Sequence, residues 1–245
     1  MKKAIVLLLV LMLAMGLLGC GNETAAAPAE TELTAPEMTL APTETEQTVP
    51  ETTEAAVEDR PVTLGKLEGW DYTNEYLGIG CTFDENWAAA SAKQTQQLPE
   101  QADKLLLDAE YTGSDLQQLV DLTAINGLNI STISIQYNRM TEEERQLFAA
   151  MDYDSFADTI LNGTEEMAGT YTEMGFDTAE MEKVTVNFLG QERTGVLTTA
   201  SLQGIHYYVL QLYEHNLGHY YVTISVSTMN ENTTQSLLDM FYPLD

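Results

Sequence analysis

Hydrophobic and polar residues alternate cleanly in three stretches of the C-terminal half. Ile133, Ile135 and Tyr137 alternate with Thr132, Ser134 and Gln136; Val184, Val186 and Phe188 with Lys183, Thr185 and Asn187; Tyr220, Val222, Ile224 and Val226 with Tyr221, Thr223, Ser225 and Ser227. A period of two places each set on one face of a sheet, so these are strands with one buried side. Ile205–Tyr213 differs, being apolar on both faces apart from His206 and Gln211, and is expected to be a strand covered on both sides. The short links Leu189-Gly190, Gln203-Gly204 and Glu214 to Gly218 make the last four strands an antiparallel meander. Nearer the start, Trp70–Tyr76 and Leu77–Phe83 read as two strands closed by Asp84-Glu85-Asn86-Trp87.

Helices announce themselves by their caps. Pro99 suits a first helical turn, and Ser114–Gln117 and Thr141–Glu144 have the form of capping boxes. Phe156, Ile160, Met167, Tyr171 and Met174 fall close to one face of a helix over about 154–174, despite Gly163 and Gly169. A last helix is expected from Thr233 to Phe241. The order of elements predicts an α+β fold in which an antiparallel sheet is sandwiched by helices.

Upstream of residue 61 the pattern changes twice. Residues 1–19 hold Lys2 and Lys3, then an apolar run from Ala4 to Leu18 and Gly19, the organisation of an export signal. The run is shorter than the roughly 20 apolar residues of a membrane-spanning helix, so it predicts cleavage rather than spanning. Leu17-Leu18-Gly19-Cys20 resembles the lipobox of bacterial lipoproteins, although a smaller residue than Leu18 is more usual there. That resemblance implies lipidation of Cys20 and anchorage to the outer face of the bacterial cell membrane, where acyl chains contribute about 0.8 kcal/mol per buried CH₂. Residues 20–60 are then a linker of Thr, Glu, Ala and Pro with no aromatic side chain. Such a segment buries too little apolar surface to offset its ordering entropy. About 40 flexible residues span roughly 35 Å, and like charge extends them further. Residues 61–245 are left as a single head domain.

Charge narrows the function. The chain holds 10 Lys+Arg and 38 Asp+Glu, a net −28. Losing residues 1–19 removes two lysines and leaves −30, which excludes a phosphate-neutralising nucleic-acid face and repels anionic lipid. With Cys20 acylated, Cys81 has no partner within the chain and reads as a buried thiol.

Asp71–Trp87, followed by a long helix, a meander and a final helix, resembles lipoproteins of clostridia-like bacteria and through them the PsbP-like fold, shared by oxygen-evolving photosystem subunits and a Ran-binding import factor. The resemblance spans most of 66–243. It implies a fold and supplies no catalytic residue.

Candidate chemistry is sparse. His215 and His219 have the H-x-x-x-H spacing of zinc ligands with Glu214 adjacent, but Gly218 puts them at a hairpin rather than on a helix, and exposed or stacked histidines are the competing reading. Asp152–Asp158 starts like a calcium loop and fails at Phe156 and Ala157, leaving helix-capping acids. Glu142, Glu143 and Glu144 suit a first helical turn. No G-x-S-x-G, C-x-x-C or Walker A sequence occurs, and no cofactor is implied. Tyrosine is concentrated at 207, 208, 213, 220 and 221. Tyr208, Tyr213 and Tyr221 are candidates for a binding surface, with cross-strand packing as the alternative.

The expectation is a membrane-anchored surface lipoprotein whose head is a non-catalytic binding or scaffold module for an envelope component, most naturally a protein. The alternatives are a metal-assisted envelope hydrolase using Glu214, His215 and His219, and a solute-binding lipoprotein.

Overall fold

The structure is a computed structural model and describes residues 62–91 and 118–244, without the side chains of 164–167 and 215–216. The expected signal (1–19), the linker with Cys20 (20–60), the Pro99 helix and the Ser114 capping box lie outside the described residues.

Among the described residues, eleven strands form two antiparallel sheets. In the smaller, β1 (Lys66–Glu68), β2 (Asp71–Asn74), β3 (Ile79–Thr82) and β11 (Phe241–Pro243) lie in the order 1-2-3-11. The larger consists of β4 (Trp87–Ser91), β5 (Gln118–Asn126), β6 (Thr132–Arg139), β7 (Thr178–Phe188), β8 (Gln191–Leu202), β9 (Ile205–Leu217) and β10 (Tyr220–Met229), in the order 4-5-6-10-9-8-7. The expected meander of the last four long strands is present. At Leu189-Gly190 and Gln203-Gly204 both turn residues have positive φ, the mirror-image turn whose twist matches the strands it joins.

The sheets pack face to face. Ile133, Ile135 and Tyr137 of β6 and Val222, Ile224 and Val226 of β10 meet Tyr72, Ile79 and Cys81 of the small sheet and Leu237, Leu238 and Phe241 near the C-terminus. The expectation of one antiparallel sheet between helices is therefore corrected on this face, where a second sheet forms most of the covering layer. Among the described residues the small sheet and the short helix α4 (Thr234–Leu238) together cover this face of the large sheet, and helices alone cover the other. The α+β class stands.

On the opposite face sit α1 (Glu142–Ala149), α2 (Tyr153–Leu161) and α3 (Thr164–Glu173). The single helix expected over 154–174 is broken at Asn162-Gly163. Its two halves serve different clusters: Phe156 packs with Phe148, Tyr213 and Tyr221, whereas Tyr171 packs with Phe176 and Tyr207. One straight axis does not reach both. The C-terminal helix is also shorter than expected, because Phe241 turns into the core and pairs with Cys81 as β11.

The Thr141 capping box forms as expected. The Thr141 hydroxyl accepts from Glu144 N–H at 3.2 Å, and the Glu144 carboxylate accepts from Thr141 N–H at 2.7 Å. Thr141→Ala removes half of this exchange and is expected to cost about 1 kcal/mol, read as a lower urea midpoint at unchanged slope.

Candidate functional site

β9 carries most of the candidate residues and lies inside the sheet between β10 and β8. Alternation along β9 sends Tyr207, Val209, Gln211 and Tyr213 toward the helices and Tyr208, Leu210 and Leu212 toward the small sheet. Tyr208 and Tyr213 consequently lie on opposite faces, and the three candidate tyrosines do not form one surface. Tyr213 is 6% exposed beneath α2, its ring 5.3 Å from Phe156, and its hydroxyl donates to Gln211 Oε1 at 3.1 Å. Tyr221 is half-buried between Phe148 and Phe156. Tyr208 is half-buried and stacked on His206 at 6.4 Å, at the margin of the core between the sheets.

The polar positions on the helix-side face of β6, β9 and β10 are buried and bonded to one another. Gln136 Nε2 donates to Asn138 Oδ1, Asn138 Nδ2 to Thr223 Oγ1, and Gln211 Nε2 to Ser225 Oγ, at 2.9, 3.1 and 3.3 Å. Strand alternation alone reads Gln136, Thr223 and Ser225 as solvated. A strand pattern shows which face is polar, not whether that face is covered.

Glu214, the acid of the expected metal set, is held by two residues that the sequence reading did not single out. Arg193 of β8 pairs with its Oε1, and the Tyr153 hydroxyl donates to its Oε2 at 2.9 Å. The Arg193 guanidinium lies 3.9 Å over the centroid of the Tyr153 ring, completing a three-residue node of ion pair, hydrogen bond and cation–π contact. His215 lies on β9, which runs past the expected turn to Leu217, while His219 is exposed and accepts from Met140 N–H through its carbonyl at 2.9 Å. Among the described residues no group of three or more His, Cys, Asp and Glu is gathered to hold a metal ion.

A second polar centre lies between the sheets. The pairing of β5 with β6 slips by one residue between Val120 and Leu122, making Asp121 the extra residue of a β-bulge, fully buried. Its carboxylate accepts from Gly65 N–H at 2.9 and 3.1 Å, from the Tyr72 hydroxyl at 2.6 Å and from Asn74 Nδ2 at 2.8 Å. Asn74 Nδ2 also reaches the Tyr137 hydroxyl at 2.9 Å, so the small sheet is bonded to both β5 and β6.

Burial, and then the Asp121 charge, hold the Tyr72 and Tyr137 hydroxyls well above the ordinary tyrosine range. Burial, followed by the Glu214 charge, pushes Tyr153 up to about 12, and burial pushes the Cys81 thiol from 9.0 to about 12. At neutral pH these groups are hydrogen-bond donors or apolar filler, not bases or thiolates. Each ionises more readily in the unfolded chain. Their contribution to stability is therefore complete below about pH 9 to 10 and is lost as pH rises toward 12 and beyond. The urea midpoint is expected to stay level from neutral pH to about 9 and then fall, with tyrosinate absorbance rising in step with unfolding.

No protein-family model and no curated protein sequence matches the chain.

Proposed function

We propose that the protein is a surface lipoprotein, anchored through Cys20 to the outer face of the bacterial cell membrane, whose PsbP-like head binds an envelope protein without covalent chemistry. The observation that carries this reading is the order of segments: an apolar run ending in Gly19-Cys20, then forty residues of acidic, aromatic-free chain, then a folded head. An anchor, a reach of roughly 35 Å and a rigid tip suit a module that must contact something fixed elsewhere in the envelope. The head's polar interior favours binding over catalysis. Asp121 is engaged by Gly65, Tyr72 and Asn74, and Glu214 by Arg193 and Tyr153, so both carboxylates serve architecture. The four-stranded meander with helices on one face and a final short helix agrees with a PsbP-like head.

Native electrophoresis of detergent-solubilised envelopes tests the proposal. The intact lipoprotein should migrate as a complex larger than its own detergent particle, and a chain with residues 61–245 exchanged for an unrelated domain of similar size should not. Migration of both as isolated particles, or of both in the same complex, would overturn it.

A further inference from the structure

We infer that the outer edge of β7 is the docking site for an extended, basic segment of the partner protein, taken up as an additional strand of the large sheet; this rests on the binding-module reading above. Edge strands are ordinarily blunted by brevity, bulges, proline or a lysine aimed across the edge. β7 is 11 residues long, pairs with β8 in unbroken register from Thr178 to Phe188 and contains no proline. Its one lysine does not guard the edge. The Lys183 ammonium is drawn to Asp154 and Asp158 of α2, at 2.9 and 2.8 Å.

The direction of the free backbone groups follows from the hairpin. The Leu189-Gly190 turn closes Phe188 onto Gln191, so alternate residues from Phe188 back to Thr178 bond to β8, and Asn187, Thr185, Lys183 and Met181 point outward. Asn187 shows what the edge accepts. Its N–H donates to Gln235 Oε1 at 3.2 Å and its carbonyl accepts from Gln235 Nε2 at 2.8 Å, so a side-chain amide from α4 occupies the place of a neighbouring peptide group. Beyond that closed end, the outward N–H and C=O groups of Met181, Lys183 and Thr185 have no hydrogen-bond partner among the described residues. Three donors and three acceptors along one line are what strand addition uses.

Charge selects the occupant. Glu180 and Glu182 are exposed on one face of β7, without an ion-pair partner among the described residues, and Thr199 beside Glu180 leads on to Tyr208 in β9. An added strand places alternate side chains beside these two glutamates, favouring Lys or Arg at every second position. A second copy is disfavoured, since antiparallel self-pairing about Met181 or Glu182 sets glutamate against glutamate and joins two heads of seven basic and 28 acidic residues each. The chain's own linker is disfavoured too, with ten acids against Arg60.

The test is amide hydrogen exchange on the full chain in detergent. The probes are a synthetic peptide of alternating Lys and Val, its Glu-for-Lys counterpart, and a Lys/Val peptide of equal charge interrupted by proline. The amides of Met181, Lys183 and Thr185 should exchange freely in the unbound protein and slow by at least about tenfold with the alternating Lys/Val peptide alone. Thr185→Pro, which removes an outward donor, and Glu180→Lys with Glu182→Lys, which reverses the charge and leaves the edge intact, should each abolish that slowing. Protection already present without peptide, equal protection by the proline-interrupted peptide, or protection that survives both variants would overturn the site. In cells, both variants should lose the head-dependent crosslinks to the partner. Crosslinks that persist unchanged would refute the β7 edge while leaving the binding-module reading standing, whereas a wild-type head without specific crosslinks would remove both.

Discussion

Asp121→Ala is expected to be the most damaging single substitution in the head. It leaves Gly65 N–H, the Tyr72 hydroxyl and the Asn74 amide buried around the place of the acceptor they shared. An unsatisfied buried donor costs about 1–3 kcal/mol, so orphaning Gly65 N–H and the Tyr72 hydroxyl, while Asn74 Nδ2 keeps the Tyr137 hydroxyl, removes a large share of the roughly 5–15 kcal/mol that holds a whole domain folded. Urea titration should show a loss of about 3 kcal/mol or more, and thermal melting a fall of about 10 °C or more. Asp121→Asn keeps the shape and one acceptor oxygen and should fall between Asp121→Ala and wild type. Gly65→Ala should act through the same centre, because a Cβ there would lie 2.3 Å from Tyr72 Cε2 and push the ring and its hydroxyl away from the carboxylate. If Asp121→Ala unfolds within about 1 kcal/mol of wild type, the bonds between the sheets contribute little and apolar packing alone holds the layers together.

The second large effect is on location. In cells fed an alkyne-bearing palmitate analogue, the wild-type chain should be labelled, recovered with the membrane fraction and lighter by residues 1–19. Cys20→Ala should abolish the label completely, since Cys81 is fully buried in the core between the sheets and offers no alternative acceptor. Labelling that persists in Cys20→Ala, or a wild-type protein that retains residues 1–19, would contradict the lipid anchor. Because stable attachment needs more than one acyl chain, the loss should be all-or-none rather than graded.

Much of the meander was legible because apolar and polar residues alternate along β7 and β10 and a glycine sits in each two-residue turn, Leu189-Gly190, Gln203-Gly204 and Gly218-His219. The Thr141 box was legible because its chemistry is local, made between residues three apart. What escaped depends on partners distant in sequence. Trp87–Ser91 contains Ala88-Ala89-Ala90, a run of strong helix formers, yet pairs with β5 as a strand. Gln118–Asn126 carries an aspartate among Leu119, Val120 and Leu122 that breaks the alternation, and only the bulge makes sense of it. The helix break at Gly163 follows from two separate aromatic clusters that no local pattern reveals.

The candidate residues fared according to the same distinction. Tyr208, Tyr213 and Tyr221 were marked by type, but parity along β9 and β10 sets Tyr208 on one face and the other two beneath the helices. Glu214 was marked by its neighbours in sequence, while its partners Arg193 and Tyr153 come from β8 and α2. A signal for that node did exist: Arg193 is one of only seven basic residues in the acidic head. Scarce cations in such a chain are expected to be held by specific carboxylates, and Lys183 behaves the same way.

The most direct measurement of the central claim is crosslinking mass spectrometry on intact cells expressing the full-length protein, alongside a chain whose head is replaced behind the same Cys20 and linker. One envelope protein should be crosslinked repeatedly to one side of the head, with contacts clustering around β7, and be absent from the replacement. The same abundant neighbours in both samples, with no face of the head preferred, would contradict a binding module.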